Sequence, residues 1–219
     1  MINLRKLLFF AFLAAYLTAQ DPDRLKFDND QVRVLKVTSP PHVKSAMHQH
    51  RVNRVMVYLD DGQMTLTDPS GKAQHFRWKA GHVKWDPAGG QHVSENVGDK
   101  PFTVVEIEVK KPGPKTAVQF SALDPVKADP KHYKVEFDND QVRVVRANYG
   151  PREKGALHEH ALDRIVIFLT DQHMKVTGAD GNVQQAESKA GDVVLAGVTK
   201  HTEENLSDKP FEVVVVELK

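Results

Sequence analysis

Cysteine is absent from all 219 residues. Without it the chain has no disulfide framework and no N-terminal cysteine for a lipid anchor, so its stability rests on buried cores. An excess of one charge is missing too, because 30 Lys and Arg stand against 29 Asp and Glu. The two signs are interspersed, which leaves no basic stripe for nucleic acid or for an anionic membrane surface. Past the first twenty residues there is no long apolar run, and no stretch holds a helical period long enough to compete with the short valine-rich segments that fill the chain.

The N-terminus is the exception. "MINLRKLLFFAFLAAYLTAQ" has two early cations, Arg5 and Lys6, then an apolar run from Leu7 to Leu17, then Thr18 and Ala19. This is the layout of a secretory signal peptide, and the run is short for a membrane span. Residues 1–19 are expected to be a signal, cleaved after Ala19, with the mature protein exported to the periplasm or the extracellular space and left without a membrane anchor. Removing Arg5 and Lys6 takes Lys and Arg from 30 to 28 against 29 acids, a formal mature charge of −1.

The octapeptide "FDNDQVRV" occurs at 27–34 and again, letter for letter, at 137–144, a shift of 110. The same shift carries His48 onto His158, His50 onto His160, Arg54 onto Arg164, Gly71 onto Gly181 and Gly81 onto Gly191. Near residue 195 the second copy loses one residue, and a shift of 109 then aligns His92 with His201 and "KPF" at 100–102 with "KPF" at 209–211. One repetition of a unit this long means two tandem domains rather than a solenoid. Segments such as "QVRVLKV", "RVMVYL", "QMTLTD", "HVKWDP" and "FTVVEIEV", separated by "DDG", "PSG" and "VGDK", read as β-strands between turns. The expected organisation is a first domain at 20–111, a linker at 112–130 punctuated by Pro112, Pro114, Pro125 and Pro130, and a second domain at 131–219. "AVQFSAL" is too apolar for that linker to be fully disordered.

Chemistry concentrates at the histidines. His48 and His50 stand at i and i+2, so on a strand they share a face and can hold one ion together. His158 and His160 repeat the arrangement. Arg54 and Arg164 follow four residues after each pair, and a permanent cation is an unusual neighbour for a metal ion. If these arginines turn inward, an anion is needed between guanidinium and metal, and an arginine fork suits a carboxylate. If they pair with protein acids instead, Glu95, Glu204, Glu108 and Glu217 are the candidates, and a one-residue slip in register would turn them outward. Asp86, Tyr58, Glu95 and Glu106 are further candidates to line a pocket. His42, His75, His82, His132 and His173 lie outside the pattern and read as ordinary surface histidines.

"GHVKWDPAGGQHVSEN", residues 81–96, has the form G-x5-P-x-G-x2-H-x3-N and resembles the second motif of the cupin family; H-x-H-x3-R at 48–54 resembles the first motif in part. With its duplication, the mature chain resembles a bicupin. The resemblance implies an all-β protein of two tandem jelly-roll barrels. It implies that His92 joins His48 and His50, and His201 joins His158 and His160, around a divalent metal such as Fe, Mn, Zn or Ni. In cupins that add a carboxylate to three histidines, a first-motif glutamate is the fourth ligand; here Arg54 and Arg164 occupy its place. The second copy departs further, with Gly197 at the position of Pro87.

The resemblance therefore implies an exported bicupin that binds a metal and a small anionic organic molecule. Dioxygenase-like chemistry ranks first among activities. The alternative is a non-catalytic module that captures an acid or sugar acid, and a homodimer is compatible with either. No residue declares itself a general base or nucleophile.

Overall fold

The computed structural model describes residues 24–111, 113 and 117–219, so the expected signal peptide lies outside the described residues. Nine strands build the first domain: β1 (Leu25–Asp28), β2 (Val32–Ser39), β3 (His48–His50), β4 (Asn53–Tyr58), β5 (Gly62–Thr67), β6 (Ala73–Trp78), β7 (Val83–Asp86), β8 (Gly89–Asn96) and β9 (Phe102–Val109). One helical turn, α1 (Pro125–Ala128), precedes nine strands of the second: β10 (Tyr133–Asp138), β11 (Val142–Tyr149), β12 (His158–His160), β13 (Arg164–Phe168), β14 (Gln172–Gly178), β15 (Val183–Ser188), β16 (Val193–Ala196), β17 (Thr199–Asn205) and β18 (Phe211–Leu218). Among the described residues no helix is long and apolar enough to cross a membrane.

Each domain has a five-stranded sheet, ordered β1-β2-β9-β4-β7 or β10-β11-β18-β13-β16, and a four-stranded sheet, β3-β8-β5-β6 or β12-β17-β14-β15. All pairings within them are antiparallel, as in a jelly-roll barrel. The valine-rich segments seen in the sequence are mostly strands of the five-stranded sheets. Their side chains alternate between two apolar environments, which explains why they read as near-continuous hydrophobic runs.

Odd positions of β4 and β9 and their counterparts form one buried cluster drawn from both domains: Val55, Val57, Val105 and Ile107 with Ile165, Ile167, Val214 and Val216. The two five-stranded sheets therefore pack on each other, and the barrels share a core. Hydrogen bonds rim it, from Lys36 Nζ to Gly191 O at 2.7 Å and from Arg146 to Gly81 O at 2.6 Å. The alternate positions face into each barrel. Met56, Tyr58 and Val104 join Trp78 and Phe102 inside the first; Val145, Tyr149, Phe168, Met174, Val213 and Val215 fill the second. This alternation settles the facing of Arg54, which shares parity with Met56 and Tyr58, and of Arg164, which shares it with Phe168. Both point inward and both are buried.

The one-residue difference between the copies is a β-bulge. In the first barrel Gln49 faces Gln91 but His50 faces Gly89, whereas in the second the ladder runs unbroken from His158–His201 to His160–Thr199. Gly90 takes φ 60° there, a left-handed conformation that glycine adopts without cost.

Residues 117–130, expected as part of a linker, dock on the second barrel. Asp124 is buried, caps α1 and binds Arg143, and the Arg143 guanidinium lies 3.5 Å over the Phe120 ring. Glu159 N donates to Leu123 O at 2.7 Å, so this segment covers the strand that carries His158 and His160. One histidine departs from its expected place: His132 is buried, not at the surface, with Nδ1 2.7 Å from Asp129 and Nε2 3.1 Å from Glu153.

Candidate metal and ligand sites

Strand pairing brings the histidines together. His48 lies directly opposite His92, and His158 opposite His201, with His50 and His160 two residues along on the same face. In each set the candidate nitrogens lie within 4.8 Å of one another, and each set could hold a metal ion. The first is half-buried and the second fully buried. In the second barrel His158 Nδ1 lies 3.0 Å from Ala156 O and His160 Nδ1 3.4 Å from Glu217, while in the first His48 Nδ1 lies 2.9 Å from Ala46 O. An imidazole whose Nδ1–H is donated to such an acceptor keeps its Nε2 lone pair free for an ion.

Protonation favours ligation as well. Burial, then the charges of Arg54, His48 and His92, lower the His50 pKa to about 4, and burial lowers His158 to about 4. His92 and His160 are shifted down by burial in the same way. These imidazoles are neutral near pH 7, the form that binds a metal. The donor set therefore fits a divalent ion, and His201 Nε2 gives a specific sign of it: the atom is buried and has no hydrogen-bond partner.

The two arginines differ in their surroundings. Arg54 is forked between two carboxylates, bonding Asp86 and, at 2.9 Å, Glu106. Lys84 adds a contact to the other Asp86 oxygen at 3.1 Å. None of the acids expected as alternative partners bonds either arginine. Glu95 pairs with Lys44, Glu108 with Arg33, Glu204 with Lys175, and Glu217 with Arg143 and His160. Arg54 therefore needs no external anion, contrary to the expectation, because Asp86 and Glu106 already balance it. Tyr58, another candidate, packs against Trp78 with centroids 4.2 Å apart and the rings tilted by 35°, and burial raises its pKa to about 12.

Arg164 has lost both partners. The residue opposite it on β16 is Ala196, where β7 has Asp86, and Val215 stands where β9 has Glu106. Its hydrogen bond goes to a backbone carbonyl, that of Gly197. Burial lowers its pKa, with Glu203 and Glu217 opposing from nearby. Arg164 also lines a cavity of about 170 Å³, with His160, Gln172, Glu203 and Tyr133 on its polar side and Phe168, Met174, Val213 and Val215 among its apolar walls.

Sequence reasoning did not single out Glu203 or Tyr133. Glu203 Oε1 lies 3.2 Å from His201 Nε2, and Tyr133 donates its hydroxyl to Glu203 Oε2 at 2.7 Å. Glu203 stands two residues after His201, so strand parity was the signal that would have found it.

With the geometry in place, the relatives are informative. AerE from Microcystis aeruginosa is 12% identical and superposes with a TM-score of 0.61, over 89% of this chain and 90% of that one. Oxalate decarboxylase from Bacillus subtilis, described with Mn(II) centres, is 13% identical with a TM-score of 0.59, over 87% of this chain and 69% of that one. A cupin domain from Bordetella pertussis Tohama I is 30% identical over 40% of this chain and 90% of that domain, with a TM-score of 0.38. The chain is a cupin-superfamily protein with a bicupin fold. No family model matches this bicupin, and no curated protein is significantly similar to it.

Proposed function

We propose that this bicupin is a metal-dependent protein whose second barrel takes a small organic acid. The acid's carboxylate binds Arg164, and its apolar part fills the cavity beside His158, His160 and His201. The observation that carries this reading is the loss of both carboxylates around Arg164, in contrast to Arg54, at the wall of a cavity. A guanidinium buried against a carbonyl oxygen still has donors for a bidentate carboxylate. The cavity's 170 Å³ equals about six waters at roughly 30 Å³ each, so the ligand is small.

When bound, a redox-active divalent metal such as iron supplies open positions and an electron source or sink, the basis of dioxygenase-like chemistry. The chain's own residues do the rest. Arg164 orients the acid, Phe168, Met174, Val213 and Val215 keep water away, and Tyr133 keeps its proton because burial, with Glu203 beside it, holds its pKa well above the ordinary value. The first barrel keeps its three histidines, but its inward arginine, Arg54, is already paired with Asp86 and Glu106, so the acid site is assigned to the second alone. The signal-like residues 1–19 support export, which sequencing the N-terminus of secreted protein tests.

Titration of metal-loaded protein with a series of small monocarboxylates, followed by calorimetry, tests the reading. Wild type is expected to bind and Arg164→Lys to bind at least about tenfold more weakly despite its charge. Equal binding by both sinks the proposal. Oxygen uptake with a bound acid distinguishes an oxygenase from a module that only captures its ligand.

A further inference from the structure

The second barrel contains an inward, largely buried carboxylate, its side chain 19% exposed, with no role in the family's usual ligand set. Glu203 lies on β17 two residues after His201 and so points into the barrel beside it. Its Oε1 is 3.2 Å from His201 Nε2, but that nitrogen makes no hydrogen bond. Two ligand atoms at right angles, each about 2.1 Å from an ion, lie about 3.0 Å apart. The spacing is thus that of neighbouring ligands, and a metal ion placed between them would satisfy the orphaned nitrogen. Tyr133 fixes the other end of the carboxylate. Its hydroxyl donates to Glu203 Oε2 at 2.7 Å, and is itself 3.3 Å from both His158 Nε2 and the Tyr149 hydroxyl, so tyrosine, carboxylate and two Nε2 atoms meet at one place. Among the described residues no lysine or arginine bonds Glu203.

The first barrel offers the contrast. At a shift of 109 its counterpart of Glu203 is Ser94, so the matching position of β8 carries a hydroxyl, and the β8 carboxylate one residue on, Glu95, pairs with Lys44. The inward acids Asp86 and Glu106 are taken by Arg54.

We propose that Glu203 is the fourth protein ligand of the second-barrel metal site, supplying from β17 the carboxylate that is missing at Arg164. The two barrels are then chemically different: a neutral three-histidine site in the first, and a three-histidine, one-carboxylate site in the second. A neutral set leaves a bound ion's full charge in place, whereas the carboxylate reduces it by one and favours harder ions such as manganese or iron. The inference rests on the reading that the histidine clusters bind metal.

The test uses the full mature chain with His50→Ala, which disables the first site, loaded with Co(II) or Mn(II) and titrated against a competing chelator. Adding His160→Ala should abolish the remaining equivalent of metal. Adding Glu203→Gln, which keeps the shape, should weaken it at least about 100-fold, beyond the 10–100-fold typical of a group that only supports a ligand, and should change the visible Co(II) spectrum. Glu203→Asp, which keeps the charge and withdraws it by one methylene, should lie between the two and guards against loss by misfolding. If Glu203→Gln binds less than 100-fold more weakly with an unchanged spectrum, while His160→Ala still abolishes binding, Glu203 is not a ligand and the inference falls alone. If His160→Ala changes nothing, the metal reading falls and takes this one with it.

Discussion

Replacing Arg54 by methionine removes the only guanidinium between two inward carboxylates. The side chains of Arg54, Glu106 and Asp86 are 5%, 12% and 23% exposed, so the pair is largely withdrawn from water. Breaking a buried ion pair from one side costs about 3–5 kcal/mol, because the remaining charge is stranded. Lys84 stays 3.1 Å from Asp86 and both carboxylates keep some solvent, which argues for the lower end, about 3 kcal/mol. For a chain of this size that is a fall in Tm of about 6–12 °C. Arg164→Met strands no hydrogen-bonded carboxylate and relieves a costly burial, so its loss should stay below about 1 kcal/mol, or at most about 4 °C. The assay is thermal unfolding followed by circular dichroism and tryptophan fluorescence, with coincident curves required before either shift is converted to energy. The pH dependence checks the cause. Burial would raise the Asp86 pKa, but the Arg54 hydrogen bond and charge and the contact with Lys84 bring it below 3.8, so the pair's contribution is present above pH 3.8 and is lost as pH falls through the folded value. The gap between wild type and Arg54→Met should therefore narrow in acid. Equal losses for the two arginine variants, or a gap that does not narrow as the pH is lowered below 3.8, would refute the account of why they differ.

Ile107 is fully buried in the cluster shared by both barrels, so Ile107→Ala should cost about 2–5 kcal/mol and lower the midpoint of both domains, read by denaturant melts. The His158 pKa is about 4 in the folded chain against 6.5 unfolded, so metal-free protein should lose stability as pH falls below 6.5, up to about 3 kcal/mol by pH 4; a flat profile over that window contradicts its burial as a neutral group. Asp124→Asn withdraws a charged partner from Arg143 and should cost about 1.5–3 kcal/mol while speeding proteolytic cleavage within 117–130, because that carboxylate ties the segment to the second barrel. Gly90→Ala should cost about 1–2 kcal/mol in the left-handed bulge position, with the second-barrel metal site unaffected.

Local regularities carried much of this in the sequence. An eight-residue identity with matched glycines divides the chain into two equivalent halves, and the i, i+2 spacing of His48 with His50 and of His158 with His160 puts each pair on one face of any strand. What the sequence left open depends on contacts between segments far apart. Whether Arg54 turned inward rested on register, which was decided by burial of Val55 and Val57 against the other barrel while Met56 and Tyr58 filled their own. Its partners lie 32 and 52 residues away, and they are missing from the second barrel although the arginine is retained. β3 and β8 carry polar residues and gave no hydrophobic alternation, yet they position the first triad. Glu203 was hidden differently. Strand parity beside His201 places it inward, but an inward carboxylate gains meaning only when the fold brings Tyr133 and His158 to the same point, because ligand geometry arises from chain segments meeting in space and not from their order.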